Sequence, residues 1–169
     1  MIAIELPDEA ATAALATRLA RLVRRGDVIA LKGELGTGKT SFARAFIRSR
    51  AGDDEIVPSP TFTLVQVYEL PDLSIWHVDG YRLRQPEEAW ELGLEDAFRD
   101  GVSLIEWPER LGSLVPERRL EITFEHDGSH GAAPEARRRQ GPRSPQLATR
   151  SMWMAMTGSS SICMASSCG

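Results

Sequence analysis

Apolar positions along this chain recur with two periods, and the changes between them mark out the elements. Ile2 to Leu6 reads as a short strand. Pro7-Asp8-Glu9 opens a helix, since Asp8 can cap it and Glu9 suits its first turn. Ala11, Ala14, Leu15, Leu19, Leu22 and Val23 then keep helical spacing up to Arg24-Arg25-Gly26, a basic last turn with a glycine stop. This helix is expected to pack on a sheet. Val28 to Leu31 is an unbroken apolar run, as in a strand buried on both faces. Helical spacing returns at Phe42, Ala43, Phe46 and Ile47.

After the polar loop Ala51 to Glu55, the prolines in Val57-Pro58-Ser59-Pro60-Thr61-Phe62-Thr63 fix φ and remove donors, which predicts an extended loop. Leu64 to Leu70 and Leu73 to Asp79 read as an antiparallel hairpin turning at Pro71-Asp72, with Gly80 to Arg84 leaving it as a loop. Pro86 to Leu92 and Glu95 to Phe98 are short helices. Val102 to Glu106 is a mostly apolar strand broken by Trp107-Pro108, and Leu120 to Phe124 alternates as a last strand. The order predicts an α/β fold: a mixed sheet flanked by helices, with an antiparallel hairpin, its parallel part built around Val28 to Leu31.

Length changes little, because 169 residues suit one domain and a tail. Charge locates the boundary. From Asp127 onward five arginines face Asp127 and Glu135, a net +3, which leaves −7 on residues 1–126. Four of the five methionines lie in the last eighteen residues. The chain is therefore divided into a domain at 1–126 and a disordered or non-native tail at 127–169, where nothing periodic can bury a face. A net charge of −4 argues against an indiscriminate nucleic-acid binder. Cys163 and Cys168 both fall in the tail, so no disulfide framework is expected in the core. No apolar run reaches membrane-spanning length and no signal sequence opens the chain, so no membrane contact and a cytoplasmic location are expected.

The chemistry centres on Gly33-Glu34-Leu35-Gly36-Thr37-Gly38-Lys39-Thr40, which fits G-x-x-x-x-G-K-S/T at every fixed position. Gly33 and Gly38 permit backbone that a Cβ forbids, Gly36 adds to that freedom, and the bared N–H groups with the following helix N-terminus form an anion nest. Lys39 brings a mobile charge to the β- and γ-phosphates, and the Thr40 hydroxyl suits Mg²⁺. A chance glycine-rich turn would not also follow a strand and open an amphipathic helix, so the fold is P-loop NTPase-like and the ligand a nucleoside triphosphate.

Hydrolysis needs a second carboxylate near the cation and a group to orient water. Asp79 and Glu106 each end a strand. Glu106 follows a hydrophobic strand in the manner of a Walker B acid, against the plain reading of a surface glutamate. Asp79 lies in His77-Val78-Asp79-Gly80-Tyr81-Arg82, against the plain reading of a capping aspartate. The residues alone leave open which of the two meets the cation. Thr61, in the proline-stiffened loop, can meet the cation or γ-phosphate as a switch hydroxyl does, or be a turn threonine. Arg82 can stabilise developing charge, although an exposed arginine is commoner. Trp107 reads as a packed core tryptophan or as a plate beside the nucleotide, core being the commoner lot of a lone tryptophan.

Together these stretches carry a resemblance. Gly33 to Thr40, Ser59-Pro60-Thr61-Phe62-Thr63-Leu64-Val65, His77-Val78-Asp79-Gly80-Tyr81-Arg82-Leu83 and Ile105-Glu106-Trp107 resemble, in this order, the TsaE (YjeE) family, small ATPases of bacterial tRNA threonylcarbamoyladenosine (t6A) synthesis. The P-loop alone is shared by many families; the ordered set S-P-T-F/Y-T-L-V, H-x-D-x-Y-R-L and I-E-W is far more specific. The similarity covers about residues 2 to 125, Pro7-Asp8-Glu9 included.

The resemblance implies that Thr40 and Glu106 hold Mg²⁺ and that Gly36 to Ser41 wraps the phosphates of ATP. It also implies that Glu9 lies near the nucleotide, and that Thr61 and Asp79 sit in switch-like segments needed for hydrolysis. The candidate catalytic residues are thus Asp79, Thr61 and Glu106. The candidate nucleotide-binding residues are Glu9, Gly33, Gly36, Thr37, Gly38, Lys39, Thr40, Ser41 and Trp107. The implied partner is a TsaD–TsaB complex, which transfers threonylcarbamoyl to adenosine 37 of tRNAs reading codons that start with A. On this resemblance the ATPase is expected to reset that transferase between turnovers, to meet tRNA only through it, and to be a weakly active monomer when alone. The chain departs from the family after Phe124, where members finish with a short glycine-containing segment that closes on the nucleotide.

Other classes stay open at this level. A regulatory GTPase lacks its N-K-x-D guanine reader, since the sequence has no asparagine. A small-molecule P-loop kinase would share Lys39 and Thr40 and would need a basic lid, for which Gly80 to Arg84 is a weak candidate. A nucleotide-dependent binding module would differ from the ATPase only in turnover.

Overall fold

The computed structural model of the chain describes residues 2–126 and 150–157. Among them, seven strands form one mixed sheet: β1 (Ile2–Leu6), β2 (Val28–Lys32), β3 (Val65–Glu69), β4 (Ser74–Asp79), β5 (Gly101–Glu106), β6 (Arg119–His126) and β7 (Arg150–Thr157), in the order β1-β7-β6-β2-β5-β4-β3. The four central strands β6, β2, β5 and β4 are parallel. β3 pairs antiparallel with β4 as the predicted hairpin, and β7 runs antiparallel to both β1 and β6.

β2 and β5, at the middle of the sheet, are buried on both faces, which is why they read as apolar runs. On one side lie α1 (Glu9–Ala20) and α2 (Lys39–Ala51), which pack along each other and over Ile29, Leu31, Leu104 and Ile122. On the other, α3 (Leu94–Asp100) and short 3-10 turns cover Val28, Val78 and Ile105. The predicted α/β class with a mixed sheet holds.

Three expectations need correction. α1 stops at Ala20, before Leu22, which is 62% exposed. The Asp27 carboxylate accepts the Arg24 N–H at 2.8 Å and the Gly26 N–H donates to the Gly101 carbonyl at 2.7 Å, so this backbone serves the entry to the sheet instead of another helical turn. The buried face of α1 is Thr12, Ala16 and Ala20, small residues at i, i+4 and i+8, with Ala11, Leu15 and Leu19 on its flanks.

Gly80 to Arg84 begins as a 3-10 turn at Gly80–Arg82, not as a plain loop. Gly80 is buried, and a Cβ there would lie 2.8 Å from both the Trp107 carbonyl oxygen and Leu111 Cδ1.

The expectation of an unstructured tail fails at Arg150–Thr157. This segment forms β7 and pairs along its whole length with β6, while its other edge takes β1. Met152, Met154 and Met156 alternate along it, a period of two that composition by itself does not reveal. The segment carries eight residues free of glycine and proline, and β1 and β6 each offer an open edge of backbone donors and acceptors. Residues 127–149 and 158–169 of that tail lie outside the described residues.

Candidate functional site

The loop Gly33–Gly38 joins the C-terminal end of β2 to the start of α2. Gly33, Gly36 and Gly38 have φ of 130°, 81° and 109°, in the left-handed half of the map that the motif reserves for glycine. Gly33 has a further reason to be glycine: a Cβ there would lie 2.3 Å from the Phe124 carbonyl oxygen on β6 and 2.9 Å from Thr37 Oγ1. Thr37 is buried and its hydroxyl donates to the Glu34 carbonyl at 2.8 Å.

Lys39, the first residue of α2, folds back under this arch. Its Nζ donates to the carbonyls of Gly33 and Glu34, both at 2.7 Å, and lies 4.1 Å from the centroid of the Trp107 ring. Only 4% exposed, Lys39 has its pKa lowered by burial, a shift partly opposed by Glu106, Glu109, Asp79 and Glu34.

Asp79 ends β4 and Glu106 ends β5, and the two are directly paired in register. The Thr40 hydroxyl donates to Glu106 Oε2 at 2.8 Å. Glu106 Oε1 lies 2.8 Å from Nε2 of His77, and both side chains are buried. The Thr61 hydroxyl donates to Asp79 Oδ2 at 2.9 Å, and Ser59 Oγ lies 2.8 Å from Thr61 Oγ1. The Tyr81 N–H donates to Asp79 Oδ1 at 2.9 Å. Asp79 thus clamps the 59–64 loop with one oxygen and starts the 3-10 turn with the other.

These groups open into one cleft of about 230 Å³, lined by Leu35, Gly36, Gly38, Lys39, Thr40, Ser41, Ser59, Thr61, Asp79, Tyr81, Glu106 and Trp107. Of the predicted residues, Gly36, Gly38, Lys39, Thr40, Ser41, Thr61, Asp79, Glu106 and Trp107 are brought together here. Gly33 and Thr37 shape the loop from behind. Glu9 is exposed at the start of α1 and is not part of the lining. Arg82 is outside it too, its guanidinium 4.2 Å from the Phe62 ring centroid. Trp107 has φ of 57°, an uncommon value for a large side chain, and its ring stands 5.1 Å from that of Tyr81.

Sequence reasoning assigned no role to His77, Ser59 or Tyr81. The alternation of β4 carried a signal for the first: His77 and Asp79 are two apart, hence on one face of the strand. Ser59 stands two before Thr61 in the proline-stiffened loop, and nothing local distinguished it from a turn serine.

The residues fit a nucleotide and a cation. A glycine-bounded arch around a buried ammonium suits phosphate. Thr40, Thr61, Asp79 and Glu106 offer only oxygen, the donor type that suits a hard divalent cation. Among the described residues no group of three or more His, Cys, Asp or Glu could hold a metal by itself. No helix among the described residues is long and apolar enough to cross a membrane.

Comparison with known proteins agrees with this geometry. The family model "Threonylcarbamoyl adenosine biosynthesis protein TsaE" matches residues 6–138, past the limit of about 125 expected from the motifs. A Rickettsia bellii protein, "tRNA threonylcarbamoyladenosine biosynthesis protein TsaE", is 40% identical over 119 residues, covering 70% of this chain and 83% of its own. A Bacillus subtilis protein of the same name is 38% identical over 123 residues, covering 72% and 75%. The crystal structure of Bacillus subtilis YdiB is similar with a TM-score of 0.66 and 27% identity, over 92% of this chain and 85% of that one. With the ordered motifs, a P-loop cleft and a family match over most of its length, the chain belongs to the TsaE family.

Proposed function

We propose that this protein is the ATP-binding and ATP-hydrolysing subunit of the machinery that makes N6-threonylcarbamoyladenosine at position 37 of tRNA, working in the cytoplasm with a TsaD–TsaB complex to permit its turnover. Family membership supports the pathway. The observation that supports the nucleotide chemistry is the single cleft that joins Lys39, Thr40, Asp79 and Glu106.

Each side chain has a part in that reading. The loop N–H groups and Lys39 receive the phosphates. Thr40 donates its hydroxyl hydrogen bond to Glu106, so its oxygen lone pairs remain for Mg²⁺ while Glu106 holds the hydroxyl in that orientation. A divalent cation here would neutralise charge on the β- and γ-phosphates during hydrolysis. Asp79 and Thr61, already bonded to each other, orient the attacking water or couple the 59–64 loop to the state of the γ-phosphate. Trp107 walls the cleft over Lys39. A kinase reading gains no support from Arg82, which stacks on Phe62 outside the cleft lining.

The test is phosphate release from Mg·ATP with and without TsaD–TsaB. The expected result is a slow basal rate, raised by the complex and abolished in Lys39→Ala. Nucleotide binding with no release under either condition would reduce the protein to a binding module.

A further inference from the structure

We propose that His77 is a positioning residue for the carboxylate that serves the cation: it pins one oxygen of Glu106 and thereby turns the other to Thr40. The inference rests on the nucleotide and cation reading above and assigns a role to a residue outside the cleft lining.

His77 stands on β4 opposite Leu104, and Glu106 is two residues further along β5, so the two side chains are diagonal neighbours on one face of the sheet. His77 is fully buried and Glu106 is 2% exposed. A carboxylate only accepts, so the 2.8 Å contact requires Nε2 of His77 to carry the proton and donate to Oε1. Nδ1 is buried and has no hydrogen-bond partner.

The terminal torsion of a glutamate is soft, and an unpinned carboxylate would sample a wide range of orientations. With Oε1 held by His77, Oε2 is left facing the Thr40 hydroxyl. The row His77–Glu106–Thr40 therefore runs from inside the sheet to the cleft and fixes which lone pairs Thr40 presents. Outer partners of this kind typically set metal affinity without touching the metal.

The experiment compares the full chain with His77→Gln, His77→Leu, His77→Asn and Glu106→Gln. Mn²⁺ affinity of the ADP-bound protein is read by electron paramagnetic resonance, and ADP affinity in EDTA by calorimetry. His77→Leu should keep its ADP affinity in EDTA and lose about 10-fold or more in Mn²⁺ affinity. His77→Gln, whose amide nitrogen can stand where Nε2 stood, should recover most of that loss. On a Glu106→Gln background, His77→Leu should have no further effect. If the leucine variant fails to fold, the Gln and Asn pair carries the test, because the shorter amide cannot reach the Nε2 position and should lose the cation where Gln keeps it. Equal Mn²⁺ affinity across the His77 series, or equal losses in Gln and Asn, would overturn the proposal.

Nitrogen-15 spectra of the imidazole separate this failure from that of the underlying reading. A parent with no cation-dependent affinity would sink the nucleotide and cation reading. An Nε2-protonated ring that shifts in Glu106→Gln would still support the pinned carboxylate, and an Nδ1-protonated ring would refute it.

Discussion

Thr40 and Glu106, 66 residues apart, are joined by a 2.8 Å hydrogen bond from the Thr40 hydroxyl to Glu106 Oε2. The bond ties the first turn of α2 to the last residue of β5, a helix and a strand with no local sequence relation. One hydroxyl thereby answers to the phosphate loop and to the strand-end acid together. Glu106→Ala should then weaken Mg·ATP binding and turnover together, with affinity down at least ~10-fold and a smaller effect on binding in EDTA. Calorimetry with and without Mg²⁺ decides this, and equal losses in both would remove the cation role from Glu106.

Asp79 is expected to behave differently. Its oxygens hold Thr61 and the start of the 3-10 turn, so Asp79→Ala should spare Mg·ATP affinity and slow hydrolysis at least ~10-fold. Turnover is to be measured with TsaD–TsaB present, because a slow basal rate would hide the difference. Loss of Mg²⁺-dependent binding in Asp79→Ala, with retention in Glu106→Ala, would reverse the two roles.

Gly33→Ala tests the loop from behind. The added Cβ would meet the Phe124 carbonyl oxygen at 2.3 Å, a backbone atom of a central strand that cannot swing aside. Strain of about 1–3 kcal/mol is expected, seen as a lower thermal midpoint and weaker nucleotide binding together. Gly36 has no atom within 4 Å of a Cβ position, so Gly36→Ala bears only the cost of its positive φ and should be milder on stability. The reverse ranking would contradict the packing described for Gly33.

A chain ending at His126 removes β7. β1 then loses the strand it pairs with, and β6 becomes an edge. The loss should be at least about 1 kcal/mol, which lowers the midpoint by about 2–4 °C for a protein of this size. An unchanged midpoint would show that β7 adds nothing to stability.

Glu121 supplies a pH dependence. Burial alone would raise its pKa, but the hydrogen bonds and charges of Lys32 and Arg119 outweigh it and hold the carboxyl below its usual value of 4.5. A lowered carboxyl pKa contributes stability that is full above the unfolded value and lost as pH falls through the folded one. The parent should therefore exceed Glu121→Gln at neutral pH, by no more than about 1 kcal/mol for partly exposed groups, and the gap should close in acid. Urea titrations at both ends of that range would show it; a gap that widens in acid has the wrong sign.

Much of this arrangement was legible in the residues. The arch from Gly33 to Thr40, the hairpin and the acids ending β4 and β5 all announce themselves through local rules of glycine, proline and alternation. Some of the rest was written less plainly. His77 shares a face with Asp79 by simple alternation, yet its role depends on a diagonal partner on β5 that alternation cannot choose. The Trp107 ring reaches the cleft because its backbone turns left-handed at φ of 57°, a conformation that no propensity assigns to tryptophan. α1 ends early because Gly26 bonds to Gly101, a residue far along the chain. β7 was missed for a related reason: the alternation of Met152, Met154 and Met156 is short, and what places it is two neighbouring edges far away in the chain.

The placement of β7 also sets a timetable. β2 to β6, with the phosphate loop and both acids, are complete in the chain by residue 126, and their parallel pairs need nothing that follows. β1, ahead of the other described strands in the sequence, pairs with residues 150–154. As the chain leaves the ribosome, that opening segment waits without its sheet partner while the nucleotide-binding part assembles. Among the described strands the pairing most distant in sequence is thus closed last, and its closure seals an edge that would otherwise be open to a strand from another molecule.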